Sequence, residues 1–243
     1  KRKVSADAEV ILSAGAVGSP QILMLSGVGP AAQLKQHGLA VAADLPVGEN
    51  FHDHLFVPLN FHTPKARNSS NPFGFLATII KEYTVGGTWF AKTFFEAGAF
   101  VKLGENQPIP NLQIHAMPWA YPQPNQDGPG FTPVDSERSF SILPTLIYPK
   151  SRGTVRLASA DPAAAPLIDP NYLAEPEDMQ HLVDGMRKVR EIMKSPKIAP
   201  FVKREAHPGE QSTTDGQLRA EVRLRGTSVY HPVGSCRMGV DER

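Results

Sequence analysis

Potential chemistry concentrates in the run Ser228-Val229-Tyr230-His231-Pro232-Val233-Gly234-Ser235-Cys236-Arg237-Met238-Gly239. The Pro232 ring crowds the residue before it and disfavours helix, so His231 is expected on an extended segment. Gly234, Ser235 and Gly239 behind it are small enough to let a bulky group approach the backbone. An imidazole titrates near neutral pH, so one held in place can take a proton from an alcohol and later return it. A lone histidine is more often structural than catalytic, so the remaining segments decide the reading.

Near the other end lies Val10-Ile11-Leu12-Ser13-Ala14-Gly15-Ala16-Val17-Gly18-Ser19-Pro20-Gln21-Ile22-Leu23-Met24-Leu25-Ser26-Gly27. The apolar run Val10–Leu12 reads as a short buried strand. Ser19 suits an N-cap and Pro20 the first helical position, so a helix is expected over Gln21–Leu25 with Gly27 ending it. Strand, small-residue turn and helix start together suit a phosphate-bearing or flat ligand, although an ordinary strand-to-helix turn would read the same. A third candidate is the strand Leu112–Trp119. Alternation puts Gln113, His115, Met117 and Trp119 on one face, and Leu112, Ile114 and Ala116 on the other. The first face joins a proton-transfer group to a thioether and an indole; the second suits packing against helices. His115 could equally be a buried histidine bonded to a carbonyl. His52-Asp53-His54 invites a metal reading, but no further acidic or cysteine cluster completes four ligands, and no metal site is assigned.

In combination these segments resemble the glucose–methanol–choline (GMC) flavoprotein oxidoreductases. Gly15-Ala16-x-x-Ser19-Pro20-x-Ile22-Leu23-x-x-Ser26-Gly27-Val28-Gly29 is similar to that family's second signature, and the stretch around His231 to its active-site histidine segment. Val47-Gly48-Glu49-Asn50-Phe51-His52-Asp53-His54, Phe95–Phe100, Pro110–His115, Pro149–Leu157 and Asp161-Pro162 follow in the family's order. The resemblance implies FAD-dependent oxidation of an alcohol CH–OH group: His231 takes the hydroxyl proton and hydride passes to flavin N5. It also implies contacts to FAD from Ala14, Gly15, Ser19, Pro20 and Pro232, and a pocket lined by Val229 and Tyr230. In choline-oxidising members the histidine matching His115 lies in the substrate pocket, and Met117 and Trp119 join it by face. Those members carry an acidic residue where this chain has Phe56, so an uncharged primary alcohol is expected as substrate in place of choline. The partners implied are that alcohol and an acceptor, either oxygen or quinone-like.

No strand–Gly-x-Gly-x-x-Gly–helix unit occurs in the 243 residues, and the second catalytic His or Asn of the family falls beyond Arg243. The chain therefore reads as a C-terminal fragment, inactive in isolation. The rival readings are an inert fragment or binding module, and a metal-dependent hydrolase using His52, His54 and His231. A net charge of +1 gives no argument for nucleic acid, and no apolar run is long enough to span a bilayer. The one cysteine, Cys236, fits a reducing compartment, hence a cytoplasmic expectation; an oligomer is compatible with the sequence.

The positioning elements then divide the chain. The fold class expected is α/β (α+β): the end of an FAD-binding Rossmann-like domain (1–54), a substrate domain with a mostly antiparallel sheet backed by helices (55–225), and a return to the FAD-binding domain (226–243). The first part also holds a helix near Ala31–His37 and a strand near Val41–Asp44, and the chain opens on the strand-like Lys1-Arg2-Lys3-Val4. Arg138–Tyr148 and Thr154–Leu157 read as strands. The crowding of prolines between Leu103 and Pro133 predicts irregular chain there. Pro176–Lys194 is the clearest helix, its stripe Met179, Leu182, Val183, Met186, Val189 and Met193 marking a core face, with charged residues including Asp178 mostly elsewhere.

Overall fold

The computed structural model describes residues 4–64, 72–87, 95, 97–124, 131–132 and 137–239. In chain order the first elements are α1 (Gly15–Leu25), β1 (Val28–Gly29), α2 (Ala31–Gln36), β2 (Ala43–Asp44), β3 (Leu55–Phe56), β4 (Leu59–His62) and α3 (Pro72–Thr84). Then come β5 (Ala97–Val101), β6 (Leu112–Met117), β7 (Gln123–Pro124), β8 (Phe131–Thr132), β9 (Ser139–Leu146), β10 (Thr154–Arg156) and β11 (Leu167–Asp169). The last are α4 (Pro176–Met193), a 3₁₀ turn (Ala199–Phe201), β12 (Arg204–His207), α5 (Asp215–Arg225) and β13 (Thr227–Ser228). Lys1–Lys3 of the expected opening strand, Glu96, residues 125–130 and 133 of the proline-rich stretch, and residues 134–136 after it lie outside the described residues. Among the described residues, no helix is long and apolar enough to cross a membrane.

The chain forms two units, one of Lys1–Asp53, Ser151–Ala174 and Tyr230–Arg243, the other of His54–Lys150 and Glu175–Val229. Residues 151–174 thus group with the N-terminal part and not, as expected from sequence, with the substrate domain. The reason is a set of long-range bonds. The β10–β11 hairpin is tied to the loop after Val47 by Val155 N–H to Gly48 O (2.7 Å) and by the Phe51–Gly153 bridge. Gly48, at φ +84, admits that contact, since a Cβ there would stand 2.1 Å from the Val155 oxygen. Met24, Leu34, Val47 and Leu157 form the core of this unit.

In the second unit β9 is central. β6 pairs along one edge, extended by β5, and β4 and β3 pair in succession along the other, extended by β12 and β13; every pairing is antiparallel. One sheet face takes Leu112, Ile114 and Pro144 and is covered by α4, where Gly185 lets the helix approach: its missing Cβ would be 3.0 Å from Leu112 Cδ1 and 3.1 Å from Pro144 Cβ. The expected stripe of α4 is buried throughout. Asp178 is buried too, against the sequence expectation, because its carboxylate accepts the Lys150 backbone N–H at 2.8 Å. α5, which no sequence expectation covers, starts in a capping box between Thr214 and Gln217.

Two expectations near the N-terminus are corrected. Val10, Ile11 and Leu12 are 78, 75 and 41% exposed and form no strand; no described strand pairs with them to supply a ladder and a covered face. Helix α1 begins at Gly15, so Ser19 and Pro20 lie inside it and Ala14 takes the N-cap position. The Ser19 hydroxyl instead accepts the Ala14 backbone N–H at 3.0 Å, closing the first turn from within. Gly27 does end the helix, at φ +89 with its N–H donating to Met24 O.

Candidate active site

His231 is exposed and stands on a short loop that is fastened on several sides within the first unit. Before it, Tyr230 adopts φ +63; after it, Gly234 adopts φ +91. Between them Val233 makes an antiparallel bridge with His52, N–H to O in both directions at 2.9 and 3.0 Å. A side chain at Gly234 would collide with the Asn50 oxygen and the His52 ring, so the bulky groups that its smallness admits are these two. His52 Nδ1–H donates to Asn50 O at 2.7 Å, and Asn50 Nδ2 donates to Gly234 O at 3.2 Å. One ring nitrogen of His52 is thereby occupied. Among the described residues no cluster of three or more His, Cys, Asp or Glu could hold a metal ion.

In the sequence Asp53 stands out only as part of a turn. Its carboxylate, 4% exposed, accepts the His231 backbone N–H at 2.9 Å through Oδ1 and the Tyr172 hydroxyl at 2.8 Å through Oδ2. No local pattern around His231 announces these partners.

A second fastening reaches α1. Pro20 has no N–H, so the Ala16 carbonyl one turn earlier loses its helical donor. The hydroxyl of Ser235, a residue 2% exposed, donates to that oxygen at 2.5 Å, while Gly48 N–H donates to Ser235 O at 2.8 Å. Pro20 is itself buried. Ala14 and Gly15 are exposed; Gly15 sits at φ +76 with open space where a side chain would project, and the N-cap residue Ala14 makes no side-chain cap, although its own N–H is taken by Ser19. This end of α1 therefore offers backbone N–H donors and room, which fits a flat, acceptor-rich cofactor such as FAD.

In the second unit the strand register sorts the remaining candidates. His115 is opposite Leu143, Met117 opposite Ser141, and Phe56 opposite Thr145, which places His115, Met117 and Phe56 on the sheet face away from Leu112 and Ile114. Phe56, Met117 and Leu143 form a buried cluster, with Trp119, Tyr121 and Val229 packed on it. Phe56 and Tyr121 meet edge to face at 5.2 Å, and the Phe95 ring is 4.9 Å from the His115 ring. The chain after β6 is pinned by a buried polar knot. Tyr121 N–H donates to Ser141 Oγ at 2.6 Å, Asn60 Nδ2 donates to Tyr121 O at 2.9 Å, and Trp119 O lies 2.9 Å from the Ser141 hydroxyl. Sequence reasoning missed Tyr121 and Asn60, whose partners lie on other strands. Of the remaining candidates, Tyr230 is 77% exposed and Pro232 half-buried.

The arrangement can offer an imidazole on a fixed loop and, separately, an apolar wall carrying a second imidazole. Comparison with known proteins gives this chemistry its setting. The GMC oxidoreductase profiles match residues 1–56 and 149–243. An alcohol dehydrogenase (acceptor) of Pseudomonas putida is 41% identical, over 98% of this chain and 43% of its own length. A choline oxidase of Arthrobacter globiformis is 36% identical, over 99% of this chain and 40% of its own. Among solved structures, a formate oxidase of Aspergillus oryzae matches with a TM-score of 0.79 at 24% identity, over 96% of this chain and 45% of that one. A fungal aryl-alcohol oxidase matches with a TM-score of 0.74 at 24% identity, over 96% and 46%. At that identity the structural likeness bears on fold alone. The chain spans less than half the length of the curated relatives it matches. Mixed α/β architecture, ordered motifs and profile matches at both ends agree: the chain belongs to the GMC oxidoreductases, a family of FAD-dependent enzymes.

Proposed function

We infer that the whole protein containing this chain oxidises the CH–OH group of an uncharged primary alcohol, and that the chain alone is inactive. The observation that carries this reading is the presentation of His231: an exposed imidazole on a loop fastened by Asp53, His52 and Ser235. An unprotonated ring nitrogen of His231 takes the hydroxyl proton and returns it after turnover. FAD, when bound, supplies the two-electron acceptor that the oxidation requires. Gly15 would hold it through its backbone N–H, with Ala14 beside it, its own N–H taken by Ser19, and the first unit then corresponds to the FAD-binding part. The second unit corresponds to the substrate domain, where Phe56, Met117, Trp119 and Val229 meet the carbon skeleton and His115 meets a polar atom.

The preference for an uncharged substrate is supported by the residue at position 56. Phe56, buried among Met117, Leu143 and Tyr121, carries no charge of its own to replace the hydration of a quaternary ammonium. An aromatic face compensates only about 0.5–2 kcal/mol of that loss. Relatives named oxygen-dependent choline dehydrogenase and alcohol dehydrogenase (acceptor) support oxygen and a quinone-like compound as the acceptors to compare. The unpaired thiol of Cys236 supports a cytoplasmic location.

The test is steady-state kinetics of the full-length, flavin-loaded protein on benzyl alcohol, 1-butanol and choline, with oxygen and with a quinone dye. Higher kcat/KM for the uncharged alcohols is expected, and a clear preference for choline overturns the substrate assignment. An absorbance scan checks the second point: flavin bands in the full-length protein and none in residues 1–243 alone. Turnover by residues 1–243 supplied with FAD would overturn the claim of inactivity.

A further inference from the structure

Among the described residues, the non-glycine positions with left-handed backbone are Asn50, Asn171, Leu173 and Tyr230. Such a conformation is unfavourable for an L-residue, least so for asparagine and most for a bulky residue such as Leu173 or Tyr230, and persists where the surroundings over-determine it. All of these positions belong to one network. Tyr230 precedes His231; Asn50 bonds to the 231–235 loop through Gly234 O; Asn171 and Leu173 flank Tyr172. The 171–173 turn is tied back as well, since Asn171 Nδ2 donates to Arg152 O at 2.9 Å and Arg152 Nε donates to Asn50 Oδ1 at 2.8 Å. At the centre is the Asp53 carboxylate, one oxygen on the His231 N–H and the other on the Tyr172 hydroxyl.

The geometry points to Asp53 and Tyr172 as positioning residues for His231. Tyr172, held by its left-handed turn, orients the carboxylate. The carboxylate accepts the amide of His231 and holds the strained Tyr230–His231 peptide in the one direction that presents the imidazole. A carboxylate is suited to this because it accepts from two donors at once, one on each oxygen, and each bond restrains the rotamer that the other needs. The route by which both act is the backbone of His231. This inference rests on the reading of His231 as proton acceptor.

The experiment uses the full-length flavoprotein and the variants Asp53→Ala, Asp53→Asn, Tyr172→Phe, Asp53→Ala/Tyr172→Phe and His231→Ala, with kcat, KM for benzyl alcohol and flavin content measured for each. Loss of a hydrogen bond to a charged acceptor costs about 10–100-fold, so Asp53→Ala is expected to lower kcat by that factor with KM changed less than about twofold. Asp53→Asn keeps an oxygen for the His231 amide and recovers kcat to within about fivefold of wild type, on the scale of one weakened neutral bond. Tyr172→Phe lowers kcat about three- to tenfold for one lost hydroxyl bond, and adds nothing in the Asp53→Ala background. Should Asp53→Ala fail to load flavin, Tyr172→Phe decides alone, because Tyr172 is partly exposed and the change removes one atom. Wild-type kcat in Tyr172→Phe overturns the inference, as does failure of asparagine to rescue or multiplication of the two effects. Undiminished kcat in His231→Ala overturns the proton-acceptor reading and this inference with it. Loss of activity there beside an inert Tyr172→Phe overturns the inference alone.

Discussion

The two units hold their candidate site residues by different means. Around His231 the strand pairing among the described residues is a single bridge, and position is set by side chains bonding to backbone: Asp53, Asn50 and Ser235 each close one link, and Arg152 braces the Asn50 side chain. Around His115 the means is register. Its neighbours Leu143 and Gly98 are dictated by pairing along β9 and β5, and the wall is completed by apolar packing of Phe56, Met117 and Leu143. A loop fixed by single polar links can lose its aim when one link is cut, with little change in buried apolar area. A sheet face spreads each residue's contribution over several neighbours, so damage appears first as lost stability. Orientation in one unit and cohesion in the other are therefore separable quantities.

The sharpest division comes from His231→Ala. In the full-length protein kcat should fall by about 10²–10⁴-fold, the usual worth of a positioned proton acceptor. Because the side chain is exposed, stability should move by less than about 0.5 kcal/mol. Next, Leu143→Ala in the wall should destabilise by about 2–5 kcal/mol in urea titration, since the residue is 1% exposed and its removal leaves a cavity. Its kcat at a temperature where the protein stays folded should fall less than that of the Asp53→Ala variant. The reverse ranking would break the comparison. Ser141→Ala is expected to cost about 1–3 kcal/mol, because the Tyr121 N–H and Asn60 lose a buried partner; KM should rise with it as Trp119 loosens.

The smallest effect is a pH dependence. His181, on α4, donates from Nε2 to Asn111 O at 2.8 Å, and burial pushes its pKa below 6.5 despite that bond. The unfolded chain then binds a proton that the folded one resists. Stability is full above pH 6.5 and falls as pH drops through that value toward the lower folded pKa. The slope from this single group cannot exceed about 1.4 kcal/mol per pH unit. Urea titrations at pH 7.5 and 5.5 should show the decline, and His181→Gln should remove part of it.

Sequence patterns found the register-controlled side of the molecule more readily than the loop-controlled side. The stripe on α4 and the alternation on β6 are local periodicities, so the faces of Met186 or His115 follow from residues a few positions away. The same rules mistake the start of α1, because Ser19-Pro20 carries an N-terminal signature while the real use of Pro20 depends on Ser235. Asp53 is visible as a motif residue, yet its hold on His231 and Tyr172 spans 178 and 119 positions. Apolar Val10–Leu12 reads as strand from composition, but a strand is a property of pairs. The capping box of Thr214 and Gln217 is a local pattern, three residues apart, and is legible in the sequence.

The Ala16 carbonyl has a consequence for how this sequence can change. Proline at position 20 and serine at position 235 act as lock and key: either replaced by alanine alone disturbs the acceptor, whereas both replaced together return it to an ordinary helical amide. Inheritance should then treat these two residues, near opposite ends of the chain, as one character. Relatives that keep the proline should keep a hydroxyl opposite it, and lineages that lose one are free to lose the other.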